Sequence, residues 1–431
     1  MTRWLPSISR RRSLGSFAIS ILIALCVFTY IRSKTDKKHP INWKEDALTY
    51  LDEIVEDNIS RLVPQGNKFS EHINDLQRHL TCVNNTPSKC ILNHTCTTRL
   101  APVNLDLCTQ LVSKRLLLLG STSTFKLHNR ILSYASREAP NTATPHSCIG
   151  PEFCTFHHIC LPSSYVPSIK SERKIKPPSP RDLLNTRSAL VHYIQSSSLV
   201  PHTNKDHADY AEPIIDKESG VRVKETYWAG PARRADVILL SRPPVPAPSW
   251  TYDGSRMGNW TFIDSFPTVP GTPSNRHPFG KSGNIKLELD IVMAAAKITI
   301  EKYLPEVTHT LHALRLEIGN RSKTVIWHGS PSHSTKHCNI FTYLADTFSE
   351  DQPASDEDLW TLYYEVQRYI QDRILAALLP HWNVVFLPLD INGAYQDGDK
   401  TGTDTSVVED EDGISRRFLE NLALILHRME T

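Results

Sequence analysis

Four consecutive leucines, Leu116 to Leu119, stand between Arg115 and Gly120. A strand shows its side chains alternately to its two faces. An unbroken apolar run of this length therefore suits a strand buried on both sides. Such strands belong to parallel sheets whose two faces are covered by helices. Further short apolar runs at Ser188–Gln195, Asp236–Leu240, Thr324–Trp327 and Trp382–Leu387 read as strands of the same sheet. Around them the apolar spacing changes to three and four residues, over Thr124–Tyr134, Ile285–Leu316, Asp358–Leu379 and Ile414–Arg428. That is the helical period. The Ile285–Leu316 region is expected to bend or break at Pro305.

Strands alternating with helices predict an α/β protein. The expected fold is a three-layer α/β/α sandwich, flavodoxin-like, around a parallel sheet of about five strands. A leading helix is expected over residues 41–63, where Leu48, Leu51, Val55, Ile59 and Leu62 recur at helical spacing, as a stem or a packed helix. Lys170–Pro180 reads as a basic, proline-containing linker, and residues 201–232 as a polar surface insertion. No internal repeat is found.

Two of the strands run into hydroxyl-rich turns. The first is followed by Gly120-Ser121-Thr122-Ser123, the other by His328-Gly329-Ser330-Pro331-Ser332-His333 with Cys338 beyond. Open α/β sheets place their sites at the carboxyl ends of strands. A hydroxyl becomes a nucleophile when a base, usually histidine, lies in reach. The plainer reading of Ser121–Ser123 is a cap on the following helix. The plainer reading of His333 is a hydrogen bond within its own loop. His128 falls on the first helix and reads as structural.

The amino terminus reads as a membrane segment. Leu14 to Ile31 is uncharged, mostly apolar and about long enough to span a bilayer core, with Arg10, Arg11 and Arg12 before it. With no convincing cleavage site after it, an uncleaved signal anchor is expected, the basic end cytosolic and the rest luminal. Cys26 lies in that segment. The other eight cysteines, Cys82, Cys90, Cys96, Cys108, Cys148, Cys154, Cys160 and Cys338, form an even set suited to disulfides in an oxidising lumen. Acceptor tripeptides for N-glycans begin at Asn58, Asn84, Asn93, Asn259 and Asn320.

The formal net charge of +2 gives no case for a nucleic-acid partner. Cys148, Cys154, His157, His158 and Cys160 invite a zinc reading, but their spacing lacks the close cysteine hook of structural zinc sites, so disulfides are favoured. The acidic triplets Asp397-Gly398-Asp399, Asp356-Glu357-Asp358 and Asp410-Glu411-Asp412 resemble the Asp-x-Asp of glycosyltransferases. Such triplets are also common in loops, and Asp356–Asp358 suits a helix start. No glycine-rich phosphate cradle of the P-loop or Rossmann type is present.

Taken together, the two hydroxyl turns resemble the PC-esterase branch of the SGNH/GDSL hydrolase superfamily. That branch includes the trichome-birefringence-like polysaccharide O-acetyltransferases and related fungal type II membrane proteins. Its Ser-Pro-x-His segment with a following Cys is matched by Ser330-Pro331-Ser332-His333 and Cys338. Its Gly-Asp-Ser turn is matched at Gly120, with Ser121 in place of Asp and Thr122 in place of Ser; Ser123 is one position late. The strand Ala235–Leu240 resembles the one that leads to an oxyanion-hole Asn, and Ser241 and Arg242 follow it here. The family's terminal Asp-x-x-His is absent; Asp397-Gly398-Asp399-Lys400 stands in its place. The resemblance spans roughly Leu111 to Leu389.

The resemblance implies an SGNH-like luminal domain over residues 111–431, with insertions at 163–232 and 243–282. It follows a cytosolic tail (1–13), the anchor (14–31) and a disulfide-stapled stem (32–110). It implies a carbohydrate O-acyl transferase or esterase of the Golgi or endoplasmic reticulum membrane, with a polysaccharide substrate and no cofactor or metal. Thr122 or Ser123 would be the nucleophile and His333 the base. Gly120, Ser121, Ser241 and Ser330 would position the reacting group, and Asp397 and Lys400 form a degenerate acid–base pair. A polar stretch at residues 392–413 fits poorly between strand and helix and could reflect an altered exon. Two other readings remain open: a glycan-binding pseudoenzyme on the same fold, and a type II glycosyltransferase.

Overall fold

The computed structural model describes residues 43–63, 71–82, 105–138, 156–161, 178–199, 214–215, 222–223, 227–247, 260, 285–319, 323–332, 340–348, 354–389 and 416–429. The chain divides into two units, Met1–Asp46 and Ala47–Thr431. The expected anchor at 14–31 lies outside the described residues. Among the described residues no helix is long and apolar enough to cross a membrane.

The chain opens with α1 (Trp43–Leu62), α2 (Glu71–Cys82) and the short α3 (Leu107–Gln110). Next come β1 (Arg115–Gly120), α4 (Thr122–Glu138), β2 (Phe156–Ile159), α5 (Pro180–Thr186) and β3 (Ala189–Gln195). A two-residue ladder, β4 (Ile214–Ile215) with β5 (Arg222–Val223), precedes α6 (Ala229–Arg234) and β6 (Val237–Leu240). Helices α7 (Ile285–Ile298) and α8 (Leu304–Ile318) lead to β7 (Thr324–His328). Then follow α9 (Ile340–Thr347), α10 (Asp356–Leu378), β8 (Val385–Leu387) and α11 (Arg416–Arg428).

Six strands form the main sheet in the order β2-β3-β1-β6-β7-β8. All neighbours pair in parallel except β2, which runs antiparallel to β3. The leucine run of β1 is buried throughout. Leu116 and Leu118 share one core with Leu76 of α2, Leu127 and Ile131 of α4, and Leu422 of α11. The alternate side chains Leu117, Leu119, Ile238, Leu240 and Trp327 are also buried, so the other face is covered too. There α6 meets β1 and α8, while α10 packs against α7 and β8. The expected α/β class and mostly parallel sheet are therefore observed.

The sheet has six strands rather than about five. Phe156-His157-His158-Ile159 has no apolar alternation, because an edge strand buries little of itself and its histidines occupy the inner positions. The region read as an insertion at 163–232 contains β3, which lies next to β1 in the sheet. Just before Pro305 the α-helical pattern is interrupted: a π-helical segment, Thr299–Tyr303, joins α7 to α8, and the Leu304 N–H reaches back to the Thr299 carbonyl. Trp382 belongs to a 3-10 turn, Leu379–Trp382, so β8 begins only at Val385. In the acidic triplet Asp356–Asp358, the Asp358 carboxylate closes a capping box with Ser355 at the start of α10.

α1 is a packed helix. Leu51 and Val55 are buried, and Asp52 accepts hydrogen bonds from Tyr369 and Arg373 of α10, with Glu56 3.1 Å from the same arginine. A disulfide joins Cys108 of α3 to Cys160, the residue after β2. Cys82 ends α2, and Cys90, Cys96, Cys148, Cys154 and Cys338 lie outside the described residues. The disulfide closes a loop with a sequence separation of 52 residues. Loop-closure entropy of that size corresponds to roughly 4 kcal/mol. The double substitution Cys108→Ser/Cys160→Ser is expected to lower stability by up to about that amount in urea unfolding. An unchanged midpoint, with both thiols titrating as free in the parent protein, would contradict the pairing.

Candidate functional site at the carboxyl edge of the sheet

The five parallel strands end along one edge of the sheet. From β1 the chain moves outward to β3, then crosses back to β6 on the other side of β1. The connections after β1 and β6 thus leave in opposite directions, a topological switch point of the kind beside which open α/β sheets place their ligands. Gly120–Ser123 stand on one side, Ser241 and Arg242 on the other, with Gly329–Ser332 of the β7 bend one strand further. The two hydroxyl-rich turns of the sequence therefore meet at one rim.

A hydrogen bond ties them. Thr124 Oγ1 lies 3.0 Å from His328 Nε2, and both side chains are fully buried. The other ring nitrogen, Nδ1, is 2.8 Å from the Gly329 carbonyl. A carbonyl only accepts, so Nδ1 carries the proton, and Thr124 donates to Nε2 of a neutral ring. Burial, opposed by the Gly329 bond, pushes His328 down to about 4, which keeps the ring neutral. Gly120 makes the approach possible. A Cβ there would lie 2.2 Å from Thr124 Oγ1 and 2.7 Å from the Ser241 carbonyl oxygen.

The residues singled out from the sequence take different places around this bond. The Ser121 backbone carbonyl accepts the first helical hydrogen bond of α4, from the Phe125 N–H, so Ser121 stands at the start of that helix. Thr122 is exposed, and the Ser123 hydroxyl lies 3.1 Å from that of Ser121. No histidine among the described residues hydrogen-bonds to Thr122 or Ser123. Tyr193 of β3 donates to both the Gly120 and Ser121 carbonyls at 3.1 Å, holding the turn from below. Ser241 is buried, and Ser330 donates to the Arg242 carbonyl at 3.4 Å. His128 is buried against Tyr193 and His157, away from the two hydroxyls. His333, Cys338, Asp397 and Lys400 lie outside the described residues, as do Asn84, Asn93, Asn259 and Asn320. Asn58 lies within α1, its amide donating to the Ile54 carbonyl at 2.9 Å.

Charged side chains that sequence reasoning missed brace the rim. Arg242 is buried, pairs with Glu306, donates to the Ser198 carbonyl at 3.1 Å and stands 5.5 Å over the Tyr303 ring. On the β7 side, Ser332 donates to Glu365 at 2.7 Å, and Arg368 holds the same carboxylate at 2.7 Å. Asp372 follows one turn along α10, 3.6 Å from Arg368. Its Oδ1 would lie 3.2 Å from a Cβ added at Gly329. Burial pushes Asp372 up to about 7, against the pull of Arg368. The i,i+3 and i,i+4 spacing of Glu365, Arg368 and Asp372 was visible in the sequence, although their destination was not. Among the described residues no group of three or more His, Cys, Asp or Glu side chains is placed to hold a metal ion. Cys160, part of the zinc alternative, is in the disulfide.

No family model, curated protein or solved structure matches the chain.

Thr124→Val leaves the buried His328 nitrogen without its donor and is expected to cost about 1–3 kcal/mol in chemical denaturation. In a cycle with His328→Leu the two losses should be non-additive by at least about 0.5 kcal/mol; simple additivity would mean the bond is not formed. The same histidine makes stability depend on pH. The folded chain takes up this proton near pH 4 and the unfolded chain near 6.5. Stability is thus full above about pH 6.5 and falls as pH drops toward 4, by roughly 3 kcal/mol in all. Urea midpoints across that range should decline less steeply in His328→Leu.

Proposed function

We propose that the protein is a luminal carbohydrate O-acyl transferase or esterase-like protein of the SGNH type, with the switch point between β1 and β6 as its acyl-binding site. The observation that carries this reading is the meeting of the Gly120 and Gly329 bends through Thr124 and His328 at the point where strand order reverses. Counted among themselves, the parallel strands follow the order 2-1-3-4-5, the flavodoxin-like doubly wound order, which supports the same reading. The Cys108–Cys160 disulfide suits an oxidising compartment such as the Golgi or endoplasmic reticulum lumen. On this reading the N-terminal apolar segment anchors the protein as a single-pass type II membrane protein.

In the reaction, the hydroxyl of Ser123 or Thr122 forms a bond to the acyl carbonyl carbon, and its proton passes to His333. Backbone N–H groups at the Gly120 turn and the first turn of α4 hold the carbonyl oxygen as it gains negative charge. Collapse breaks the ester bond, and the departing sugar oxygen takes the proton. A second sugar hydroxyl or water then accepts the acyl group.

One observation favours a second reading, a glycan-binding protein without turnover. At the rim the imidazole paired with a hydroxyl is His328, with Thr124, and that pair is sealed from solvent, while Ser123 bonds to Ser121. Hydrolysis of an aryl acetate or an acetylated oligosaccharide separates the two. For the enzyme, the double substitution Thr122→Ala/Ser123→Ala should lower turnover at least about 100-fold, and a fluorophosphonate should label the parent protein at one of these positions. Saturable glycan binding without labelling or turnover would establish the second reading. Full turnover in the double variant would reject the nucleophile assignment.

A further inference from the structure

The edge strand β2 carries two adjacent histidines, and adjacent residues on a strand face opposite ways. On one face the His157 ring lies 5.1 Å from the ring of His128 on α4. His128 is fully buried, 5.7 Å from the Tyr193 ring of β3 and 6.0 Å from Phe125 of its own helix. His192 of β3 acts on the same ring as a further like charge, and Asn129 gives it one polar contact at 3.3 Å. On the other face His158 lies 2.5 Å from the Ser188 hydroxyl, with the Asp182 carboxylate of α5 acting on it as an opposite charge. Burial disfavours a proton on both faces of β2, opposed at His158 by the Asp182 carboxylate and reinforced at His128 by His157. A proton on His158 meets a carboxylate. Protons on His128, which is fully buried, and His157, which is half-buried, repel each other across the 5.1 Å ring contact.

The strand is also held covalently. Cys160 follows Ile159 directly and is bonded to Cys108, so β2 can leave β3 while remaining attached to the domain.

We propose that β2 is an acid-released clasp: protonation of His128 and His157 separates the strand from β3, and the Cys108–Cys160 disulfide retains it for re-closure. Burial, with His157 beside it, pushes His128 down to about 3, and burial lowers His157 as well. The sign follows. The closed strand excludes protons that the open strand accepts near pH 6.5, so closure is complete above that pH and weakens as pH falls below it. Release bares the hydrogen-bonding edge of β3, a surface suited to pairing with another extended chain.

Hydrogen exchange of the full chain, between pH 7.5 and 4.5 and corrected for intrinsic rates, tests the clasp. Amides of 156–159 and 189–195 should lose protection below pH 6.5 by up to roughly tenfold per pH unit for each proton taken up. Those of β6 and β7 should stay better protected than β2 at every pH and decline only with the global stability. In His157→Gln and in His128→Leu the pH dependence at β2 should flatten. If His128→Leu does not fold, the half-buried edge position 157 carries the test alone. Protection of β2 that is independent of pH, that falls in step with β6 and β7, or that keeps its pH dependence in His157→Gln overturns the proposal.

Discussion

The architecture of the rim depends on one bond, between Thr124 at the start of α4 and His328 at the end of β7. It spans β6, which lies between the two strands, and it fixes the height of both bends above the sheet. The bond is buried on all sides, so its polar atoms have no water to fall back on, and neither partner can leave without stranding the other. Gly120 is part of the same constraint. It is not among the described residues with a left-handed backbone; what it supplies is the missing Cβ, which lets Thr124 and the Ser241 carbonyl pass close. The left-handed conformations belong to other turns, such as Arg187 after α5 and Asn383 before β8.

Around this fixed point the two ends of the sheet differ in character. From β6 to β8 the rim is braced by charge: Ser332 and Arg368 hold Glu365 from two directions, and Arg242 is locked between Glu306 and the Ser198 carbonyl. Buried groups paired in this way resist displacement, because separating them leaves a charge in a poorly solvated place. On the β2 side the contacts are imidazole rings and hydroxyls, whose strength depends on protonation. The molecule thus combines a stiff rim with an edge that can respond to pH. A bend held in a single position suits a site that must orient a substrate. β2 is an edge strand that pairs with β3 alone, although its Ile159 reaches the core.

Much of the fold was legible because burial on both faces leaves a plain mark. The leucines of β1 marked both ends of that strand, and β3, β6 and β7 begin or end within a residue of their expected bounds. β2 was illegible because two histidines fill the positions where apolar alternation would have shown. The π segment before Pro305 was equally hidden: proline marks where a helix is disturbed but not the form the disturbance takes. At the site, the Gly120 turn and the Ser330 bend were found because polar residues at the end of an apolar strand are conspicuous. Their partners were not. His328 reads in the sequence as the first residue beyond its strand, which hides its buried pairing with Thr124. Asp372 and Glu365 read as ordinary charges on one face of a helix.

By itself the sequence determined the class: apolar strands alternating with helical periods, and hydroxyl turns at the strand ends. These are local patterns, written within about ten residues and governed by backbone geometry and burial. Only the tertiary structure decided which strands are neighbours, and through them that Thr124 meets His328 across 204 residues, that Cys108 meets Cys160, and that His128 meets His157. Such pairings depend on which strand lies beside which, and no short stretch of chain contains that information. A threonine hydroxyl or an imidazole suits solvent, a cap or a buried partner equally well until the sheet assembles and removes the alternatives.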